Sequence, residues 1–156
     1  MPAFKDHFSD AAGAYAAHRP AYPDALYDWL AGAAPDRAAA WDCATGSGQA
    51  ATGLARHFSR VIASDASAEQ IAHAAPHPRV EYRVAPAEAS GLADASVGLV
   101  SVAQAAHWFD LPRFYAEAAR VLSPGGVLAL WGYGPLELPG ALAAPFQRFY
   151  AETVGP

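Results

Sequence analysis

Cysteine is almost missing: Cys43 is the single one in 156 residues. That excludes a disulfide framework within the chain and a cysteine-rich zinc site. A lone thiol suits a reducing compartment, so a cytoplasmic location is expected. Charge is scarce as well, at 16% of residues, and the formal net charge is −5. Lys and Arg are scattered, which removes the electrostatic footprint of a nucleic-acid binder and leaves no polybasic run for an anionic membrane. No uninterrupted apolar run reaches the roughly 18 residues that a membrane span needs. The opening residues, Met1 to His7, lack a basic region followed by an apolar run, so no secretory signal is expected. No internal repeat is visible.

What is present is apolar and periodic. Hydrophobic residues make up 53% of the chain, enough for one buried core. Phe4, Phe8, Ala11, Ala12 and Tyr15 fall three to four apart and predict a helix over 4–17. Pro20 and Pro23 then hold an extended turn. A second helix is expected from Pro23 to Gly32, with Leu26 and Leu30 on one face. From residue 38 the pattern alternates. Short apolar runs at 38–43, 61–64, 80–84, 97–102 and 127–131 read as strands. Helices are expected at 49–58, from Ser67 with Gln70 completing a capping box, from Asp110 through Leu122, and over 141–152. Ser123-Pro124-Gly125-Gly126 reads as the loop that ends the third of these. Strands separated by helices predict an α/β fold with a doubly wound, mostly parallel sheet. Ligands in such sheets bind beyond the carboxyl ends of the strands.

The first strand runs into Trp41-Asp42-Cys43-Ala44-Thr45-Gly46-Ser47-Gly48-Gln49. Gly46 and Gly48 permit a tight turn and close approach of a ligand to the backbone. Gly46 to Ala51 also satisfies G-x-G-x-x-A, a weak dinucleotide signal on its own. Asp42, four residues before Gly46, would repel a pyrophosphate but attract an ammonium. Asp65, at the end of the second strand, can accept two hydrogen bonds from a ribose diol, a feature common to several nucleoside cofactors.

Asp42 to Gln49 resembles the Asp-x-Gly-x-Gly-x-Gly loop of class I S-adenosylmethionine (SAM) dependent methyltransferases. Tyr15-x-x-x-Arg19-Pro20-x-Tyr22-Pro23, Pro86-Ala87-Glu88 and Gln104-Ala105-Ala106-His107-Trp108-Phe109-Asp110 together resemble a narrower branch. That branch is methyltransferase type 11, which includes trans-aconitate methyltransferase-like proteins. The resemblance implies a Rossmann-like fold, SAM as cofactor and S-adenosylhomocysteine as product. Residues 1–34 would form a helical cap over the cofactor and 35–156 the SAM-binding core, lacking the last two strands of the family fold. Asp42, Ala44, Gly46 and Gly48 would hold the methionine part, Asp65 and Ala66 the ribose side, and Ala87 and Glu88 the adenine. Gln104 would lie beneath the sulfur. Tyr15 and Arg19 would fold over the site. Arg19, Tyr22, His107 and Trp108 would line the pocket for a small-molecule acceptor, with His107 positioning it or acting as base.

Two positions depart from the family pattern: Ala44 stands where the loop's first glycine belongs, and Pro86 where an acidic residue is common. Three readings follow. The first is a small-molecule methyltransferase. The second is a non-catalytic SAM-fold binding domain, in keeping with those departures. The third is an NAD-linked oxidoreductase, which Asp42 ahead of the glycines opposes. His73 and His77 read as an exposed loop, Cys43 as a small core residue, and no metal site is expected. An uncovered fifth strand would be an apolar edge that favours self-association.

Overall fold

The computed structural model describes residues 22–134 and 139–154. The expected first helix with Tyr15, and Arg19 after it, lie outside the described residues. Within them the chain runs α1 (Asp24–Ala33), β1 (Ala39–Cys43), α2 (Gln49–Leu54), β2 (Arg60–Asp65), α3 (Ala68–Ala72), β3 (Val80–Val84), β4 (Val97–Ala103), α4 (Leu111–Val121), β5 (Leu122–Trp131) and α5 (Ala143–Phe149). Tight turns at Ala106–Trp108 and Gly140–Leu142 and a widened one at Tyr150–Val154 complete it.

All five strands pair in parallel, in the order β3-β2-β1-β4-β5. The chain steps outward from β1 to β3, then returns to the other side of β1 as β4. The junction of β1 and β4 is therefore the switch point, where a crevice opens beyond the carboxyl ends. Parallel strands are covered on both faces, which is why they read as near-continuous apolar runs. Alternate side chains feed two cores. On one face Ala40, Val61, Ala63 and Leu99 meet Tyr27, Leu30 and Ala31 of α1 and Ala51 and Leu54 of α2. On the other, Trp41, Cys43, Ile62, Val100 and Val102 meet Phe114, Ala118 and Val121 of α4. The described part of the 1–34 segment is thus a member of the helix layer. A Cβ on Gly53 would overlap the Tyr27 ring, so a glycine lets α1 close on α2.

Several boundaries differ from the sequence reading. Pro23 is the cap of α1 rather than its first residue. Helix α2 stops at Leu54, and Ala55 to Phe58 continue as a tight turn that still buries Phe58 completely. In α4 the buried stripe is Phe114, Ala118 and Val121, whereas Leu111 and Tyr115 face outward. The 123–126 loop is embedded in β5. Val97 pairs with Leu122 and Leu99 with Val127, so the intervening residues leave the ladder, where Pro124 has no N–H to donate and Gly125 takes φ +77°. Strand β5 ends the sheet among the described residues, with Leu130 on it and Tyr133 beyond it exposed.

Candidate functional site

Three short segments meet at the switch point: the β1–α2 loop, the end of β2 and the end of β4. The loop owes its shape to alternating left-handed residues, Ala44 at φ +55°, Gly46 at +57° and Gly48 at +87°. Between them the chain is tied down. The Thr45 amide donates to the Ser64 carbonyl (2.9 Å), and the Gly48 amide to the Thr45 carbonyl (3.0 Å). The Tyr82 ring from β3 fills the space where a Gly48 side chain would go, and its hydroxyl donates to the Ala75 carbonyl. Gly48 then caps α2.

The two acids flanking this loop sit in different surroundings. Asp65 is half-buried. Its Oδ2 accepts the Gly46 amide and its Oδ1 the Ser67 amide, both at 2.9 Å. A carboxylate offers about four lone-pair sites, so one acceptor position remains on each oxygen. Asp42 is enclosed, at 1% exposure. Its Oδ2 accepts the Thr45 hydroxyl at 2.6 Å and its Oδ1 the Ser101 hydroxyl at 2.7 Å. Burial pushes its carboxyl up to about 6, although both hydroxyls favour the charged form. Burial, together with the Asp42 charge, pushes the nearby Tyr27 phenol up to about 12.

The remaining candidates spread around the rim. Ala66 is exposed beside Asp65. Ala87 is buried in the α4-side core. Glu88 accepts the Asp110 amide at 2.9 Å, so its carboxylate secures the start of α4. Gln104 ends β4 at φ +60°, and its amide donates to the Trp131 carbonyl. Among the described residues its side-chain Nε2 is buried with no partner, as is the Trp131 indole nitrogen. His107 is exposed, 4.7 Å from the Trp108 ring, which is itself 53% exposed. Tyr22 packs edge-on against Trp131 at 5.6 Å. A groove of about 430 Å³ lies between α1 and α2, lined by Tyr22, Tyr27, Thr52 and Gly53, with Arg56 and Asp24 paired across it.

Residues 41–130 match the family described as a methyltransferase domain. A Dictyostelium discoideum protein named as a methyltransferase is 40% identical over 155 residues, covering 97% of this chain and 59% of that protein. An uncharacterized methyltransferase of Mycobacterium bovis is 41% identical over 124 residues, covering 79% of this chain and 50% of that protein. A solved structure from Anaeromyxobacter dehalogenans, described as a type II methyltransferase, superposes with a TM-score of 0.77 at 52% identity, over 85% of this chain and 56% of that one. This chain belongs to the class I SAM-dependent methyltransferase family. It spans about half the length of the curated relatives it matches.

Family membership implies SAM, and the methyltransferase fold here offers residues that fit it. Asp65 has two acceptor positions for two ribose hydroxyls. Gln104 carries a buried donor with nothing to bind. Gly46 leaves its Cβ direction open, the nearest atom being Gln70 Oε1 at 3.8 Å from where that Cβ would stand. Two of the candidate acids also carry bonds within the protein. Asp42, expected to touch the methionine end, has both oxygens engaged within the protein. Glu88, expected beside adenine, has one oxygen engaged by the α4 amide. Thr45, Ser101 and Tyr82 were absent from the sequence reading. Ser101 had a legible signal, as the one hydroxyl in the Val97–Ala103 run, since a buried polar group in an apolar strand requires a partner. Among the described residues no helix is long and apolar enough to cross a membrane.

Proposed function

We propose that this chain is the cofactor-binding part of a cytoplasmic methyltransferase that methylates a small molecule at a carboxylate, hydroxyl or activated carbon. The observation that carries the reading is Asp65: a carboxylate at the end of β2 beside the switch point, with one open acceptor position per oxygen, fixed by the Gly46 amide of the left-handed glycine loop and by the Ser67 amide. When bound there, SAM supplies a methyl on a sulfonium, ready for in-line displacement. The residues then have distinct tasks. Asp65 orients the ribose, with Ala66 alongside. Gly46 and Gly48, with Ala44, shape the backbone against the methionine end. Ala87 walls the adenine side, and Glu88 holds that wall to α4. Gln104 offers its free donor beneath the sulfur. Tyr22, His107 and Trp108 face the acceptor. Alignment of nucleophile and methyl can supply roughly 7–11 kcal/mol of the barrier, so a carboxylate acceptor needs no base. For a protonated acceptor His107 is the base at hand. A net acidic chain with scattered Lys and Arg suits a small-molecule acceptor better than nucleic acid or an anionic membrane.

A second reading, a domain of this fold that binds without catalysing, is favoured by one observation. Ala44 occupies a left-handed position, which strains the loop where glycine is usual. Calorimetric titration with S-adenosylhomocysteine separates the two. The methyltransferase reading predicts micromolar binding, weakened about 100-fold in Asp65→Ala by the loss of two charge-assisted hydrogen bonds. Absence of binding to the wild-type chain, and to any longer form of it, would contradict that reading and favour the second.

A further inference from the structure

We propose that Thr45 and Ser101 are positioning residues for the cofactor, acting through Asp42 as a buried strap that locks the glycine loop across the β1–β4 junction. The inference rests on the assignment of the crevice to SAM.

Three observations carry it. First, each oxygen of the enclosed Asp42 carboxylate receives one hydroxyl, from Thr45 at 2.6 Å and from Ser101 at 2.7 Å. These are short, charge-assisted bonds, the strong class. Second, Ser101 is wholly inaccessible and stands directly across from Asp42 in the parallel register, so the bond spans the two strands whose separation defines the crevice. Third, Thr45 lies between two left-handed residues and is held at both ends. Its amide bonds β2 at the Ser64 carbonyl, and its side chain bonds β1 at Asp42. The next amide, Gly46, is thereby aimed at Asp65 Oδ2.

The consequence is a chain of contacts from β4 to the ribose site: Ser101, Asp42, Thr45, Gly46, Asp65. Without the Thr45 hydroxyl the loop can turn about Ala44 and Gly46, and the amide that fixes Asp65 loses its direction. Asp42 therefore acts on the cofactor through the loop rather than by touching it. A direct contact between Asp42 and the methionine ammonium makes a different prediction, and two ligands tell them apart. S-adenosylhomocysteine carries the amino-acid end; 5′-methylthioadenosine has the same nucleoside without it.

Both would be titrated against the wild-type chain, Thr45→Val, Ser101→Ala, Asp42→Asn and Thr45→Ser, with affinities corrected for the folded fraction from melting curves. The strap predicts that the first three variants weaken both ligands by a similar factor, about tenfold, as expected for losing a hydrogen bond to a charged group. Thr45→Ser, which keeps the hydroxyl, should bind as wild type. Asp42→Asn weakening S-adenosylhomocysteine alone would overturn the strap in favour of direct contact. Lower melting temperatures with unchanged affinities would overturn it in favour of a purely structural role. If the wild-type chain binds neither nucleoside, the assignment of the crevice falls and the strap's role falls with it.

Discussion

Among the described residues, the rim of the crevice is finished on one side and open on the other. At β1 and β2, Asp42, Thr45, Gly46, Gly48 and Asp65 are bonded to one another or to neighbouring strands, and Tyr82 seals the loop from behind. At β4 and β5, Gln104 and Trp131 keep buried nitrogens without partners, and Trp108, Leu130 and Tyr133 stand exposed. The closed side faces what stays constant in the proposed reaction, the nucleoside. In that proposal the open side faces what differs between enzymes, the acceptor. Preorganisation is concentrated where the ligand is fixed.

The largest expected effect breaks the closed side. Gly48→Ala adds a methyl that overlaps the Tyr82 hydroxyl, at a left-handed φ of +87°. Left-handed strain and overpacking together predict a loss of about 3 kcal/mol in chemical denaturation. Combining it with Tyr82→Ala should cost less than the sum of the two single changes, because the clash is shared.

Next comes pH. The folded chain holds the Asp42 proton more tightly than the unfolded chain does, the carboxyl moving from 3.8 to about 6. The contribution of Asp42 to stability is therefore fully present below pH 4 and lost as pH rises through 6. Asp42→Asn removes that titration. The stability of the wild type relative to this variant should fall by on the order of 2–3 kcal/mol between pH 4 and 7, measured by denaturation at each pH.

Two smaller effects sharpen the contrast. Ala44→Gly should raise stability by about 1 kcal/mol, by relieving left-handed strain, and leave S-adenosylhomocysteine binding intact or tighter. On the open side, Gln104→Met removes an unpaired donor. Stability should stay the same or rise by up to about 1 kcal/mol, while cofactor affinity falls a few-fold. A comparable stability loss in Gln104→Met and Ser101→Ala would erase the distinction between the two sides.

How much of this was legible in the sequence follows the same division. The strands, the Gly46 and Gly48 turn and the acid at Asp65 declare themselves because each depends on local pattern: apolar runs, glycine and a carboxylate at a strand end. Ser67 capping α3 and Asp110 capping α4 were legible for the same reason. The pairing of Asp42 with Ser101 was not, because it depends on the β1–β4 register, set by contacts 59 residues apart. Nor was the capture of the Asp110 amide by one oxygen of Glu88, 22 residues away along the chain. In α4, Leu111 and Tyr115 are apolar yet lie outside the buried stripe, which pattern alone does not reveal. Glu117 is half-buried beside it instead, bonded to Ser90 and Arg120.

The most direct test of the closed side is a crystal structure of the chain with S-adenosylhomocysteine. The account predicts both ribose hydroxyls on Asp65, the Gly46 and Ser67 amides still bonded to that carboxylate, and the Asp42 oxygens still held by Thr45 and Ser101. A ligand seated away from Asp65, or a loop rebuilt so that Asp42 reaches the methionine ammonium, would contradict it.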